Sequence, residues 1–386
     1  MTTVSSYNCA SSALLGSLRE LKSYGSDVTV RGMHTKEILG HTFTVYNPVN
    51  RFTILPFRKC NPFAQIAETM WMIAGRDDLD WLELYIPQCK KWSDDGETWR
   101  DAYGPRLRHW GQQYEVLGSG IYPVGWAVDQ FAEIVKRLSS DSYSRQAVMT
   151  IWNPAIDNIT DSKAYPCNIA LQFMVRNNLL HMFVTVRSND VIYGFSHNDF
   201  YSWSILLQMM AKWVGVGVGS LHWNASSFHI YERHFQLSQN IIDSTHPRQF
   251  FYDYNVPTLL FDTEFGDIDK ELSTMFHWEN KARECALTES YPSELTMDDF
   301  QFSRDSFIDT CTRMLMLYVI LVRVTSQHKD LIIDIVGTIP YSDFRLAAID
   351  YICRKEWMSL FDFAHLIDSS GVYDYLDNIQ NCQSQL

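Results

Sequence analysis

The sequence predicts an α+β protein. Strand-like and helix-like segments follow one another without the regular strand–helix–strand alternation of a parallel α/β fold. Two apolar runs of strand length flank the dipeptide Asn177-Asn178, the pattern of an antiparallel hairpin. After about residue 245 the pattern changes to an aromatic, acidic stretch followed by helical segments. The expected organisation is therefore a main unit over 1–245, a mixed sheet packed with helices, and a divergent, partly helical extension over 246–386.

Each element has its own signal. Leu14, Leu15, Leu18 and Leu21 recur at helical spacing after Ser11 and Ser12 and give the first helix. Alternation over His41–Tyr46 gives a strand. Asn61-Pro62 opens PFAQIAETMWMIAG, which ends at Gly75: an N-cap, a first-turn proline and a terminating glycine, in helix order. That helix carries Glu68 among apolar neighbours. Trp126–Leu138 is amphipathic and helical, QAVMTIW is strand-like, and CNIALQFMVR with LLHMFVTVR forms the hairpin. Asn198–Val214 is an apolar helix and Leu221–Tyr231 a strand. In the extension, Phe250–Asp267 reads as loop or strand, and Phe307–Val324 and Tyr341–Trp357 as helices.

Composition narrows the function. With 46% apolar and 20% charged residues over 386 positions, the chain can bury a large core and is not a disordered segment. A net charge of -13 opposes binding to a polyanion, so no nucleic-acid partner is expected. A few focused arginines can still hold a small phosphate ester, because that interaction is set by local geometry. The first 25 residues carry no basic segment ahead of an apolar one. The longest apolar run, Met314 to Val322, is too short to span a bilayer. A soluble cytoplasmic protein with no membrane partner is expected. Eight scattered cysteines without a CxxC pair suit a reducing compartment, and no Cys/His spacing calls for a metal.

Three segments concentrate chemistry-bearing residues. In YPCNIALQF, Cys167 stands at the mouth of an apolar strand, where a packing cysteine would sit inside the run. In VRSNDVIYGFSHNDF, Arg187, Ser188, Asn189, Asp190, His197, Asn198 and Asp199 crowd a strand-to-helix junction. Capping alone would explain several of these. In SSFHIYERH, His229 and Tyr231 fall on one side of a strand, which a core histidine beside a tyrosine would also do.

Taken together the segments resemble thymidylate synthase and the related phage deoxypyrimidine-nucleotide hydroxymethylases. Cys167, Gln172, Arg187-Ser188, Asp190, Gly194, Asn198 and His229-x-Tyr231 fall in family order at family spacing. The likeness extends upstream through Arg31-Gly32, Glu68 with its E-x-x-W pattern, Trp92, DAYGPRLRHW with Tyr103, and Ser144-Arg145-Gln146. It covers roughly the first 240 residues.

The resemblance implies a role for each. Cys167 adds to carbon 6 of a pyrimidine nucleotide, with Arg187 favouring its thiolate. Arg31, Arg187 and Ser188 hold the phosphate, and Arg145 reaches it from the partner subunit of a homodimer. Gln172 and Asp190 belong to the substrate-binding set. Asn198 reads the pyrimidine edge, its amide matching the adjacent acceptor and donor of uracil, which implies dUMP. His229 and Tyr231 bind the sugar 3′-hydroxyl. Glu68 and Tyr103 move protons at the base. Trp92 and Asp190 contact the folate, so 5,10-methylenetetrahydrofolate is the implied co-substrate.

The pattern also departs from that of the synthases. Asn168 stands where they carry histidine, Gln146 replaces the second arginine of a pair, and Ser93-Asp94 follow Trp92 in place of an acidic residue and a second tryptophan. NCQSQL, the last six residues, lacks an apolar closing tail. A wetter site is expected, in which water rather than hydride quenches the carbon-5 methylene to give 5-hydroxymethyl-dUMP. The alternatives are thymidylate synthesis from dUMP, then dCMP hydroxymethylation if Asp199 rather than Asn198 faces the base. A phage-encoded chain would work in the host cytoplasm. A regulatory or RNA-binding role on the same fold is opposed by the complete set of Cys167, Arg187, Asn198 and Tyr103.

Overall fold

The computed structural model describes residues 5–111, 113–117, 120–124, 126–158, 162–288, 306–323 and 329–383. Of the last six residues, 384–386 lie outside the described ones. In chain order, β1 (Ser5–Tyr7), α1 (Ala10–Tyr24), β2 (Ser26–Val30) and β3 (Met33–Val45) lead to α2 (Pro62–Ile73). The one-turn α3 (Leu79–Leu82), α4 (Tyr103–Arg108) and the hairpin β4 (Gln113–Leu117) with β5 (Gly120–Val124) come next. Then follow α5 (Gln130–Ser140), β6 (Val148–Thr150), α6 (Pro154–Asp157), β7 (Asn168–Arg176) and β8 (Leu179–Asp190). A π-helical segment, Val191–Asp199, joins β8 to α7 (Phe200–Val214), and β9 (Gly217–Tyr231) and α8 (Phe235–Ser244) complete the first part. The rest is helical: α9 (Ile268–Thr288), α10 (Ser306–Arg323), α11 (Lys329–Thr338), α12 (Asp343–Arg354) and α13 (Ser370–Gln383).

Seven strands form one mixed sheet in the order β1-β3-β9-β8-β7-β6, with β2 paired to β3. The β7–β8 hairpin closes where the sequence placed it. Asn177 and Asn178 both take positive φ, 52° and 59°, as a two-residue hairpin turn requires. β9 begins earlier than the apolar pattern indicated, because Gly217 and Gly219 let it run parallel against β8. A Cβ on Gly219 would sit 2.6 Å from the Leu180 carbonyl oxygen. Conversely α5 begins later than Trp126. The Asp129 carboxylate accepts from the Phe131 and Ala132 amides and caps it there, leaving Trp126 89% exposed.

One sheet face is fully buried, and the other is open. Phe43, Trp223, Val184, Leu171 and Phe173 line the inner face, with Phe195 of the π segment packed edge-on to Phe43 and Trp223 at 5.1 and 5.2 Å. Strand periodicity sends Thr44, His222, Phe183, Gln172 and Val148 outward in one row, each next to the last in register. His222 stacks on Phe183 at 4.3 Å and bonds Thr44 and Ser220, and all of these outward side chains except Ser220 and Thr44 retain substantial exposure.

The region after 245 adds no strand among the described residues. Phe250–Asp267 is irregular chain with two 3₁₀ turns, Phe251–Tyr254 and Phe265–Asp267. The helices that follow pack on the helical side of the molecule and continue the same core. Phe344 meets Phe52 edge-on at 5.2 Å and Tyr318 meets Phe63 at 5.1 Å. The buried Glu279 carboxylate on α9 accepts from Trp81 Nε1 (2.8 Å), Tyr85 Oη (2.6 Å) and Arg283 Nε (2.7 Å). Three donors on one buried acid satisfy it and pin α9 to α3.

Candidate active site

A cavity of about 740 Å³ opens beside the sheet, at the ends of β8 and β9 and against α2 and α4. Of the residues singled out in the sequence, it brings together Arg31, Glu68, Trp92, Tyr103, Cys167 and Arg187, and likewise Ser188, Asp190, Asn198, His229 and Tyr231. Arg145 and Gln172 are not in it. They lie at the open face of the sheet, where Gln172 Nε2 donates to the Arg145 carbonyl at 2.8 Å.

Cys167 sits immediately before β7, with its carbonyl accepting from the Arg187 amide at 2.9 Å. Arg187 donates through Nε to the Pro166 carbonyl (2.8 Å) and through Nη2 to that of Tyr165 (3.1 Å), clamping the turn that presents the sulfur. Arg187 was expected to favour the thiolate. Its charge does act that way, but burial is stronger and Asp199, Asp101 and Asp190 oppose it, so the thiol is pushed up to about 11. At neutral pH Cys167 is therefore a protonated thiol.

Glu68 reaches the cavity because α2 is fixed at both ends, by Asn61 accepting from the Phe63 and Ala64 amides and by Gly75 in the left-handed region. Its carboxyl is pushed up to about 8, first by burial and then by Asp199 and Asp101, while a hydrogen bond donated by Asn198 Nδ2 to Oε2 acts the other way. Glu68 therefore holds a proton at neutral pH. Asn198 owes its place to the π segment, whose first turn Asp190 caps by accepting from the Ile192 amide at 2.9 Å. The Asn198 Oδ1 is buried without a partner among the described residues, an acceptor left for something else. The neighbouring Asp199 also lines the cavity but accepts from Asn189 Nδ2 (3.0 Å) and from the Asn168 side chain; burial lifts it to about 6.

Tyr103 opens α4 and stacks on Trp203 at 5.5 Å. Its hydroxyl oxygen accepts from Asn168 Nδ2 at 2.8 Å, and Asn168 Oδ1 accepts from Trp203 Nε1 at 3.1 Å. With burial and nearby carboxylates holding it far above the usual phenol range, Tyr103 keeps its proton and has it free to donate. Across the cavity, His229 is paired in register with Glu37. The Ser227 hydroxyl donates its one hydrogen to Glu37, so toward His229 Nδ1, 3.2 Å away, it is an acceptor. Nδ1 then carries the ring hydrogen. Burial holds the imidazole neutral, which leaves Nε2 a lone pair able to accept from a hydroxyl.

Arg31 and Gly32 form the two-residue tip of the β2–β3 hairpin, both at positive φ (51° and 76°). The turn aims Arg31 at the rim, beside Tyr231. On the opposite wall Trp92 stacks on Trp99 at 6.2 Å and meets Tyr193 edge-on at 6.0 Å. This flat aromatic wall fits a planar heteroaromatic ring, so the residues present suit a folate. Among the described residues no group of three His, Cys, Asp or Glu side chains is placed to hold a metal ion. No helix there is long and apolar enough to cross a membrane.

Sequence reasoning missed several lining residues. Asp101 and Trp99 stand just ahead of Tyr103, within and beside DAYGPRLRHW, and Arg233 stands in SSFHIYERH, its guanidinium 4.2 Å from the centre of the Tyr231 ring. Only the folded backbone shows that they face the same space as Cys167.

Comparison with known proteins agrees with this geometry. The pattern described as thymidylate synthase matches residues 14–271. The chain is 38% identical over 208 residues to the deoxyuridylate hydroxymethyltransferase of Bacillus phage SP01, covering 54% of this chain and 53% of that one. It is 31% identical over 191 residues to the protein of the same description from Pseudomonas phage M6, covering 49% and 50%. To the thymidylate synthase of Buchnera aphidicola (subsp. Acyrthosiphon pisum, strain APS) it is 27% identical over 212 residues, covering 55% and 75%. The chain thus spans about half the length of these phage relatives. With two-thirds of its residues inside the matched region and the motif residues gathered around one cavity, the chain belongs to the thymidylate synthase family.

Proposed function

We propose that this chain transfers a one-carbon unit to carbon 5 of dUMP and lets water complete the reaction, giving 5-hydroxymethyl-dUMP. The observation that carries the substrate is Asn198. One amide hydrogen is held by Glu68 while Oδ1 is unclaimed, so Oδ1 can accept from N3–H of uracil as the second amide hydrogen donates to O4. Cytosine offers the reverse pattern. Cys167 adds to carbon 6, and Glu68, which holds a proton at neutral pH, supplies it toward the O4 side as charge develops there. Tyr103 relays the proton lost from carbon 5. Arg31, Arg187 and Ser188 hold the phosphate, joined by Arg233 at the rim, and His229 with Tyr231 takes the 3′-hydroxyl.

5,10-Methylenetetrahydrofolate, held against Trp92, Trp99, Tyr193 and Asp190, supplies the one-carbon unit. Water, rather than hydride, as the second reactant is supported by the polar lining around Cys167, with Glu68, Asp101 and Asp199 on the same cavity, and by the phage relatives' descriptions. A homodimer formed through the open sheet face would cover Phe183, His222 and Val148 and carry Arg145 toward the partner's cavity.

The test is the mass of the nucleotide product after incubation with methylenetetrahydrofolate and dUMP, with dCMP in parallel. A gain of CH₂O on dUMP with tetrahydrofolate as coproduct is expected. A gain of CH₂ with dihydrofolate would make the chain a thymidylate synthase, and reaction of dCMP alone would overturn the reading of Asn198.

A further inference from the structure

Asp101 is the unexplained carboxylate of the cavity. It stands at the turn into α4, two residues before Tyr103, and lines the same space as Cys167 and Glu68. Its Oδ1 is buried and has no hydrogen-bond partner among the described residues, although arginines 100, 106 and 187 are close enough to act on its charge. Arg106 is committed elsewhere: it grips Asp157 at 2.6 and 2.9 Å and the Ile151 carbonyl at 2.9 Å. Arg187 is held by the Tyr165 and Pro166 carbonyls. Those bonds use Nε and Nη2 and leave Nη1 for the nucleotide phosphate. Nor is Asp101 remote from the reacting groups, since its charge acts on Cys167, Glu68 and Tyr103. A buried carboxylate oxygen kept without a hydrogen bond costs stability, and proteins retain such atoms where a ligand or reaction uses them.

The cavity's other three carboxylates are occupied, Asp190 by the Ile192 amide at 2.9 Å. Glu68 accepts from Asn198, and Asp199 from Asn189 and Asn168. From this division of labour we propose that Asp101 is the general base that takes the proton from the water attacking the carbon-5 methylene. The inference rests on the hydroxymethylase reading above. In this step the water oxygen bonds to the exocyclic carbon of the Cys167-bound nucleotide, the methylene electron pair moves into the ring as an enolate, and the proton passes to the Asp101 carboxylate. The enolate then re-forms the 5,6 double bond and expels the Cys167 thiolate, so atoms and charge balance without oxidant or reductant. Burial raises the Asp101 carboxyl above the usual carboxylate range, which makes it a better acceptor for that proton.

The reverse of this step needs no folate, which gives a test independent of the complete reaction. 5-Hydroxymethyl-dUMP is incubated with the protein in ¹⁸O-water, and exchange of its hydroxyl oxygen is followed by mass spectrometry. The unaltered protein should exchange the label, and Asp101→Asn should lower that rate by about 10²–10⁴-fold. Equilibrium binding of dUMP to Asp101→Asn should stay within about twofold, a readout that a merely structural role would move. Exchange by Asp101→Asn at the unaltered rate would overturn the role of Asp101 and leave the hydroxymethylase reading standing. Loss of dUMP binding together with exchange would overturn it too, by making Asp101 a structural residue. Absence of exchange in the unaltered protein, with a CH₂ gain on dUMP, would instead sink the hydroxymethylase reading.

Discussion

The electrostatics around Cys167 can be tested through Asp199→Asn. At pH 8 a thiol lifted to about 11 is ionised to about one part in 10³, against roughly a quarter for an ordinary thiol. The rarer thiolate is the stronger nucleophile, which returns about tenfold of that difference, so Cys167 should alkylate about 20-fold more slowly than a free cysteine. Asp199 is the strongest charge opposing its ionisation and, at about 6, is itself ionised at pH 8. Replacing it by the isosteric amide removes that charge. Each unit by which the thiol falls raises the thiolate tenfold and costs about threefold in nucleophilicity, so at pH 8 the variant should alkylate faster, by about 3-fold for each unit. The assay is iodoacetamide labelling from pH 7 to 9.5, read at the Cys167 peptide by mass spectrometry. Six of the other seven cysteines are buried, and Cys382 reports on an ordinary partly exposed site. Equal Cys167 rates in variant and parent, or a parent rate matching a free thiol, would refute the assignment of burial and Asp199 as the forces on the sulfur.

Three further outcomes follow from the same geometry. Arg233→Ala should weaken dUMP binding by about tenfold or more while leaving deoxyuridine binding unchanged, because a charged hydrogen bond to phosphate is lost; equal loss for both ligands would place Arg233 away from the phosphate. Glu279→Ala strands the buried donors of Trp81, Tyr85 and Arg283 and should cost about 3–5 kcal/mol in urea unfolding; a midpoint unchanged from the parent would show that α9 is held by other contacts. Ending the chain at residue 250 removes Phe344 and Tyr318 from Phe52 and Phe63, and the product should fail to unfold cooperatively. A soluble, cooperative fragment with full dUMP binding would show instead that the extension is a separable unit.

What was legible in the sequence was local. Asn61-Pro62 and Gly75 are read in place because capping is decided by neighbours in the chain, and Asn177-Asn178 closes its hairpin for the same reason. Cys167, Arg187 and Asn198 stand in short motifs whose spacing survives in a linear reading. The π segment was not legible, since Phe195 within it packs edge-on against Phe43 and Trp223, contacts separated by long stretches of chain. Nor was the parallel pairing of β9 with β8, which depends on where Gly217 and Gly219 meet another strand. Nor were Asp101 and Arg233 legible, because their significance lies in where the fold puts them: Asp101 with a buried oxygen that has no partner among the described residues, and Arg233 stacked over Tyr231 at the rim of the cavity. Composition could not supply the sign of the Cys167 shift either. Arg187 is adjacent in the fold, yet its grip on two carbonyls and the nearby carboxylates leave burial dominant.

The central claim, nucleophilic addition of Cys167 to carbon 6 of a uracil nucleotide, is tested most directly by trapping the adduct. Fluorine at carbon 5 cannot leave as the proton does, so 5-fluoro-dUMP with methylenetetrahydrofolate should halt the reaction with the nucleotide still bonded to sulfur. The account predicts a covalent adduct on the peptide containing Cys167, absent in Cys167→Ala. Binding of 5-fluoro-dUMP without an adduct, or an adduct on any other residue, would contradict it.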